Sequence, residues 1–175
     1  MNTWTIDSAH SEIGFKVKHL MVSTVRGQFT SFEGTVKSPD DDLTKAEIDF
    51  TAQTSSINTN NEMRDKHLMS PDFFDSAQFP TISFKSKNIT KKDAEDFVVT
   101  GDMTMHGITK ELIFNAKFNG ISTDMNKNRV MGFEISGSLS RKEFGLVWNA
   151  PVEQGGVVVS DEVKLDTNIE CKELK

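Results

Sequence analysis

The side chains able to do chemistry are few and scattered. The four histidines are His10, His19, His67 and His106. A helical zinc site needs two imidazoles four residues apart, as in H-E-x-x-H, and no pair here has that spacing. Histidines from four segments could still converge on a metal. The alternative is a set of turn and rim histidines with local hydrogen bonds, and the sequence is read that way, with no metal expected. Cys171 is the single cysteine. It has no partner for an internal disulfide and no cluster for structural zinc. Flanked by Glu170 and Glu173 in an alternating apolar row, it reads as a small buried hydrophobe rather than a reactive thiol. There is no G-x-S-x-G elbow, P-loop or G-x-G-x-x-G. Acidic residues fall mostly on solvent-facing positions and single out no catalytic pair, so no catalytic residue is assigned. The most polar cluster is Arg64, Asp65 and His67. Either it anchors a helix through hydrogen bonds, or, with His19, it donates to a ligand's polar head group. A guanidinium fork suits phosphate in that second role.

The elements that must position these residues are strands. Ala46, Ile48, Phe50 and Ala52 alternate with Lys45, Glu47, Asp49 and Thr51. Similar rows are Ile13, Phe15, Val17; Leu112, Phe114, Ala116, Phe118; Met131, Phe133, Ile135; and Val163, Leu165, Ile169, Cys171. Period-two alternation marks strands with one buried face. Eight long strands are expected, near 3–20, 25–38, 44–54, 79–90, 95–106, 109–121, 128–140 and 157–173. Turn signals separate them at Ser38 to Asp42, Lys91 to Asp93, His106-Gly107 and Asp124 to Asn128. Short connections imply an antiparallel meander, and closure removes its exposed edges. The expected fold is all-β: an up-and-down, eight-stranded, lipocalin-like barrel forming one domain over 1–175.

One segment breaks the alternation. Thr59 and Glu62 form a T-x-x-E capping box ahead of a short helix, and Ser70-Pro71 reads as a second helix start. The insertion falls between the third and fourth strands, where its apolar residues would plug or cover one mouth. A further helical turn is expected at Arg141 to Phe144. The side chains expected to line an internal apolar pore are Phe15, Val17, Phe29, Ile48, Phe50, Met63, Leu68, Phe84, Met103, Met105, Phe114, Phe118, Phe133, Ile135 and Trp148. A one-residue register error would exchange inside and outside.

Composition narrows the partners. Thirteen Phe, eight Met and no Tyr supply area without hydroxyls. They suit a cavity for a flexible hydrocarbon or, equally on composition, a filled core. A formal charge of −6 argues against nucleic acid and anionic membrane surfaces. No apolar run reaches the roughly 20 residues of a membrane helix. The N-terminus lacks the basic and apolar regions of a signal peptide. The expectation is a soluble, cytoplasmic protein, or a periplasmic one if a leader has been removed.

Several motifs together resemble the YceI-like, polyisoprenoid-binding, lipocalin-like family. They are Trp4, Ile6, Asp7, His10-Ser11 and Phe15 to His19; Gly27 and Phe29; Arg64-Asp65-x-His67-Leu68; Asp72 to Asp75; Phe79-Pro80-x-Ile82-x-Phe84; Gly101; Thr104-x-His106-Gly107-x-Thr109; and Arg141-x-x-Phe144-Gly145. The resemblance implies an extended eight-stranded barrel with an apolar pore, a bound long isoprenoid or similar amphiphile, no cofactor, and a homodimer. Many members of that bacterial family work in the periplasm, whereas this sequence starts directly at the first strand. Three functions follow: a carrier of a polyisoprenoid, isoprenoid quinone or fatty-acid-like chain; a filled-core interaction or stress-response module; or an enzyme acting on an amphiphilic lipid through Arg64, Asp65, His67 and His19. The carrier is favoured.

Overall fold

The computed structural model describes residues 1–153 and 156–175. In chain order the strands are β1 (Asn2–Ile6), β2 (Ile13–His19), β3 (Ser23–Phe29), β4 (Phe32–Ser38), β5 (Glu47–Gln53) and β6 (Ile57–Asn58). They continue as β7 (Thr81–Lys91), β8 (Asp96–Met105), β9 (Ile108–Thr123), β10 (Arg129–Ser140) and β11 (Val159–Glu173). One α-helix, α1 (Glu62–Met69), lies between β6 and β7.

All pairings between these strands are antiparallel, and β1–β4–β5–β7–β8–β9–β10–β11 closes into a ring through β1 pairing with β11. This is the expected eight-stranded barrel. The first two expected strands are each divided. The run 3–20 breaks into β1 and β2 because the Asp7 carboxylate accepts from the Ala9 amide (3.0 Å) and winds Ser8–His10 into a 3₁₀ turn. The run 25–38 breaks between β3 and β4 because its halves take different partners. β4 pairs with β5, whereas β3 pairs with the short β6. β2 and β3 extend the wall beyond the ring and pair with each other over seven residues.

Turn chemistry sets the corners. His106 and Gly107 both adopt positive φ (55° and 74°), the twist-matched two-residue hairpin between β8 and β9. The helical insertion departs from expectation. Asn61, not Thr59, caps α1 by accepting from the Arg64 amide (3.0 Å), because the Thr59 hydroxyl is taken by Asp65 (2.6 Å). No second helix starts at Ser70. The chain instead turns back, with the Phe74 amide donating to Leu68 O (2.9 Å) and Phe73 buried. Seating that ring at the barrel mouth takes the segment out of helical geometry. The expected turn after Arg141 is present at Lys142–Phe144.

Inward-facing side chains form one large cluster that includes Phe29, Phe84, Phe97, Phe114 and Phe144. A smaller cluster of Trp4, Val36, Met131 and Cys171 closes the far end of the barrel. Outside that end Arg129 bridges Asp41 (2.6 Å) and Glu173 (2.8 Å), its guanidinium 5.1 Å from the Trp4 ring centre.

Candidate functional site

An apolar cavity of about 270 Å³ occupies the barrel. It runs from Leu68, Phe73, Phe74 and Leu146 at the α1 end to Ile6, Val36, Ile169 and Cys171 at the far end. Its polar side chains are Thr35, Thr167 and Arg141. The Thr167 hydroxyl is spent on Gly14 O (3.0 Å), so it adds little polarity to the wall. A second pocket, of about 200 Å³, adjoins the first and shares Phe15, Val17, Leu68, Phe73 and Val159 with it. Lys18, His19, Thr59, Arg64, His67 and Trp148 also border this outer pocket. The two together form an apolar interior with a mixed mouth at the insertion.

Twelve of the residues expected to line a pore border the inner cavity: Phe15, Val17, Phe29, Ile48, Phe50, Leu68, Phe84, Met103, Met105, Phe114, Phe133 and Ile135. Three do not. Met63 is 84% exposed, because α1 turns it to solvent while Leu68 takes the inward place. Phe118 packs edge-on against Phe97 (6.4 Å) and obliquely on Phe133 (5.4 Å), inside the wall rather than on the cavity. Trp148 lies at the mouth, against Phe73 (5.3 Å) and His67 (4.8 Å).

The head-group candidates divide. His19, Arg64 and His67 border the outer pocket, and Asp65 does not. Asp65 accepts from the Thr59 amide (2.9 Å) and hydroxyl (2.6 Å), which ties α1 to the chain leaving β6. Arg64 donates through Nε to the Thr59 hydroxyl and through Nη2 to Thr59 O, both at 2.7 Å. This leaves Nη1 without a protein acceptor among the described residues. His67 Nε2 lies 2.8 Å from the Asp72 carboxylate. The remaining histidines are apart: His10 pairs with Asp7 on the outer wall, and His106 Nδ1 meets Phe144 O (3.1 Å).

Displaced acidities at Cys171, Asp7 and Arg141 bear on the site. Burial pushes the Cys171 thiol up to about 12, so it faces the cavity as a neutral thiol. Hydrogen bonds from Lys172 and His10 hold the Asp7 carboxyl down at about 2. Asp7, His10 and Glu170 cluster closely enough to suggest a cation site, but the Lys172 ammonium already sits 2.7 Å from Asp7. Desolvation lowers the pKa of Arg141, which is 4% exposed. Arg141 stood in the sequence only as one member of a motif. Its guanidinium is held by the carbonyls of Leu146 and Trp148 nearby and of Val159 and Ser160 eighteen and nineteen positions on, a set no single local motif announces. Lys18 was missed because an exposed lysine on a strand is ordinarily only a solvated charge.

With the geometry in place, the relatives are informative. The YceI-like domain family matches residues 4–171. UPF0312 proteins of Staphylococcus aureus strains N315 and USA300 are each 39% identical, with 97% of both chains covered. The solved Campylobacter jejuni YCEI protein superposes with a TM-score of 0.78 at 29% identity, covering 97% of this chain and 96% of that one. Burkholderia cenocepacia BcnA has the same fold (TM-score 0.80, 18% identity, 94% and 98% covered). So does a polyisoprenoid binding domain from Saccharophagus degradans (TM-score 0.73, 13% identity, 98% of each). A barrel closed by β11, an apolar interior and a family match over almost its whole length identify this chain as a member of the YceI-like family.

Proposed function

We propose that the barrel binds a long, flexible apolar chain, with the tail in the inner cavity and the polar end toward His19, Arg64 and His67. The observation that carries this reading is the joined pair of spaces, an apolar interior opening on a mouth with cationic side chains. Ligand sites are commonly apolar cavities with a few placed polar groups. Each buried methylene contributes about 0.8 kcal/mol, offset by ordering of the chain. Selection by length and width therefore follows from the cavity's depth and bore. The ligand class is a polyisoprenoid, an isoprenoid quinone or a fatty-acid-like amphiphile. The polyisoprenoid-binding designation of the Saccharophagus domain supports the first.

Binding is favoured over catalysis because, among the described residues, no carboxylate or imidazole borders the inner cavity to act as general base. Native mass spectrometry of the purified protein, followed by solvent extraction, tests the proposal. A stoichiometric lipid, or saturable uptake of one by the stripped protein, is expected. A barrel that neither retains nor takes up any long-chain lipid would overturn it.

A further inference from the structure

The hairpin joining β2 and β3 ends in Leu20, Met21 and Val22, three apolar residues in a row that are 41%, 62% and 82% exposed. Single exposed apolar residues are ordinary, whereas a contiguous apolar patch marks a contact surface. The backbone there is held in a costly shape. The Val22 amide donates to His19 O (3.1 Å), closing a turn whose two central residues, Leu20 and Met21, have φ of 51° and 62°. Asn-Gly fits such a turn easily, whereas Leu and Met carry a Cβ penalty at both positions. The tip is also pinned in place. The Leu20 amide donates to Val158 O (2.9 Å), and His19 pairs with Val159. The three side chains therefore stand beside the outer pocket, which Lys18, His19, Val25 and Val158 border.

The rim of that pocket is cationic. Lys18, His19, Arg64 and His67 border it, and no Asp or Glu does among the described residues. His67 is matched by Asp72, whereas Lys18 and Arg64 make no ion pair among the described residues. The formal charge of −6 belongs to the whole chain and does not describe this rim. Met63 on α1 and Val147 beside Trp148 add exposed apolar side chains from two further segments that reach the pocket.

We propose that the mouth docks on a phospholipid bilayer, with Leu20, Met21 and Val22 inserted at the headgroup–acyl boundary and Lys18 and Arg64 level with the phosphates. An apolar tip flanked by cations matches that boundary in both depth and charge. A protein partner suits it less, because three side chains on a convex turn fall short of the roughly 20–30 residues a side of a standard protein interface. A bilayer accepts side chains singly and needs no matched face. The proposal goes beyond the binding role above, since docking is defined without reference to what the cavity holds. Joined to that role, it lets a tail pass from bilayer to cavity without crossing water.

Co-sedimentation with vesicles of phosphatidylcholine and a minor share of phosphatidylglycerol tests it. The natural protein should sediment with them, and the double substitution Leu20→Asn, Met21→Gly should weaken partition by about tenfold or more. The same variant should keep or raise its Tm, because the turn is relieved, so that lost docking is not lost folding. A second measurement leaves the centre of the turn intact. Acrylodan attached at Val22→Cys should shift to the blue on vesicles. The same label at Met125→Cys, in the β9–β10 loop beside Arg129 at the far end, should not. Cys171 is buried and escapes the label. No sedimentation of the natural protein, equal partition of the variant, or equal shifts at both labels would each overturn the proposal. So would a dimer that forms without vesicles and is lost in the variant while no vesicle is bound. Docking that persists in a protein unable to take up lipid would remove the binding role and leave this surface standing.

Discussion

Asp7 links the first strand to the last. Its amide donates to Glu170 O (2.8 Å), and its carboxylate meets both Lys172 (2.7 Å) and His10 (2.8 Å) beside the β1–β11 seam. Because the folded pKa is depressed from the ordinary 3.8 to about 2, this carboxylate contributes stability that is present above pH 3.8. That contribution is lost as pH falls from 3.8 toward 2. His10 works in the opposite direction. Its pKa is raised by the hydrogen bond to Asp7, so its contribution is full below 6.5 and is lost as pH rises through the raised value. Asp7→Asn should therefore flatten the acid limb of a Tm-against-pH curve between pH 4 and 2 and weaken the His10 dependence near neutrality, leaving the part owed to Glu170. A variant curve parallel to that of the natural protein would show the seam to be indifferent to this charge. The identity of Asp7 was visible in the sequence, but its partner Lys172 lies 165 positions away, beyond any local motif.

Among the elements, β2 and β3 carry the passage between the two pockets. Phe15 pairs across from Gly27, and a Cβ built at Gly27 would sit 2.4 Å from the Phe15 ring. The ring lies over the glycine and stacks on Phe29 (5.6 Å), bordering both spaces. Gly27→Ala should push the ring into the passage. The expected cost in stability is about 1–3 kcal/mol, as for other overpacked sites. Affinity for long chains should fall more than affinity for short ones, measured by titration across a chain-length series. Alternation located most strands, but it did not reveal their bulges. Against β8, β7 carries an extra residue at Lys87, between the Ser86–Gly101 and Asn88–Thr100 pairs. Its buried positions therefore shift from Ile82 and Phe84 to Ile89, changing parity in mid-strand. The same happens on β9 beside Gly120, whose φ of 100° marks the irregularity opposite Met131 and Phe133. A fixed period of two cannot carry a reader across such points. The division of the insertion was hidden for another reason: Thr59 satisfies the capping pattern, yet its hydroxyl is claimed by Asp65 once the helix docks.

For the whole molecule, the charges other than that of the buried Arg141 lie outside and the apolar volume inside, among the described residues. Surface pairs such as Arg26–Asp166 (2.8 Å) and Lys87–Glu111 (2.7 Å) are exposed and contribute about 0–1 kcal/mol each. Stability therefore rests on the closed ladder and the packed wall, while the cavity is the part of the interior left unfilled. Ala116 borders it, paired with Phe97 on one side and Ile135 on the other. Ala116→Phe should shorten the longest chain accepted while costing less stability than the same change in a filled core. Calorimetric binding across a chain-length series reads the first effect and thermal unfolding the second. An unchanged length limit would place the tail elsewhere. Closure also has a consequence in time. β11 pairs with β10 along one edge and with β1 and β2 along the other, so the ring gains its last stave from the last of its eight strands in chain order. Until then the nascent chain is an open trough with two bare rims. A guest inside the proposed cavity could be fully walled in only once β11 has been made.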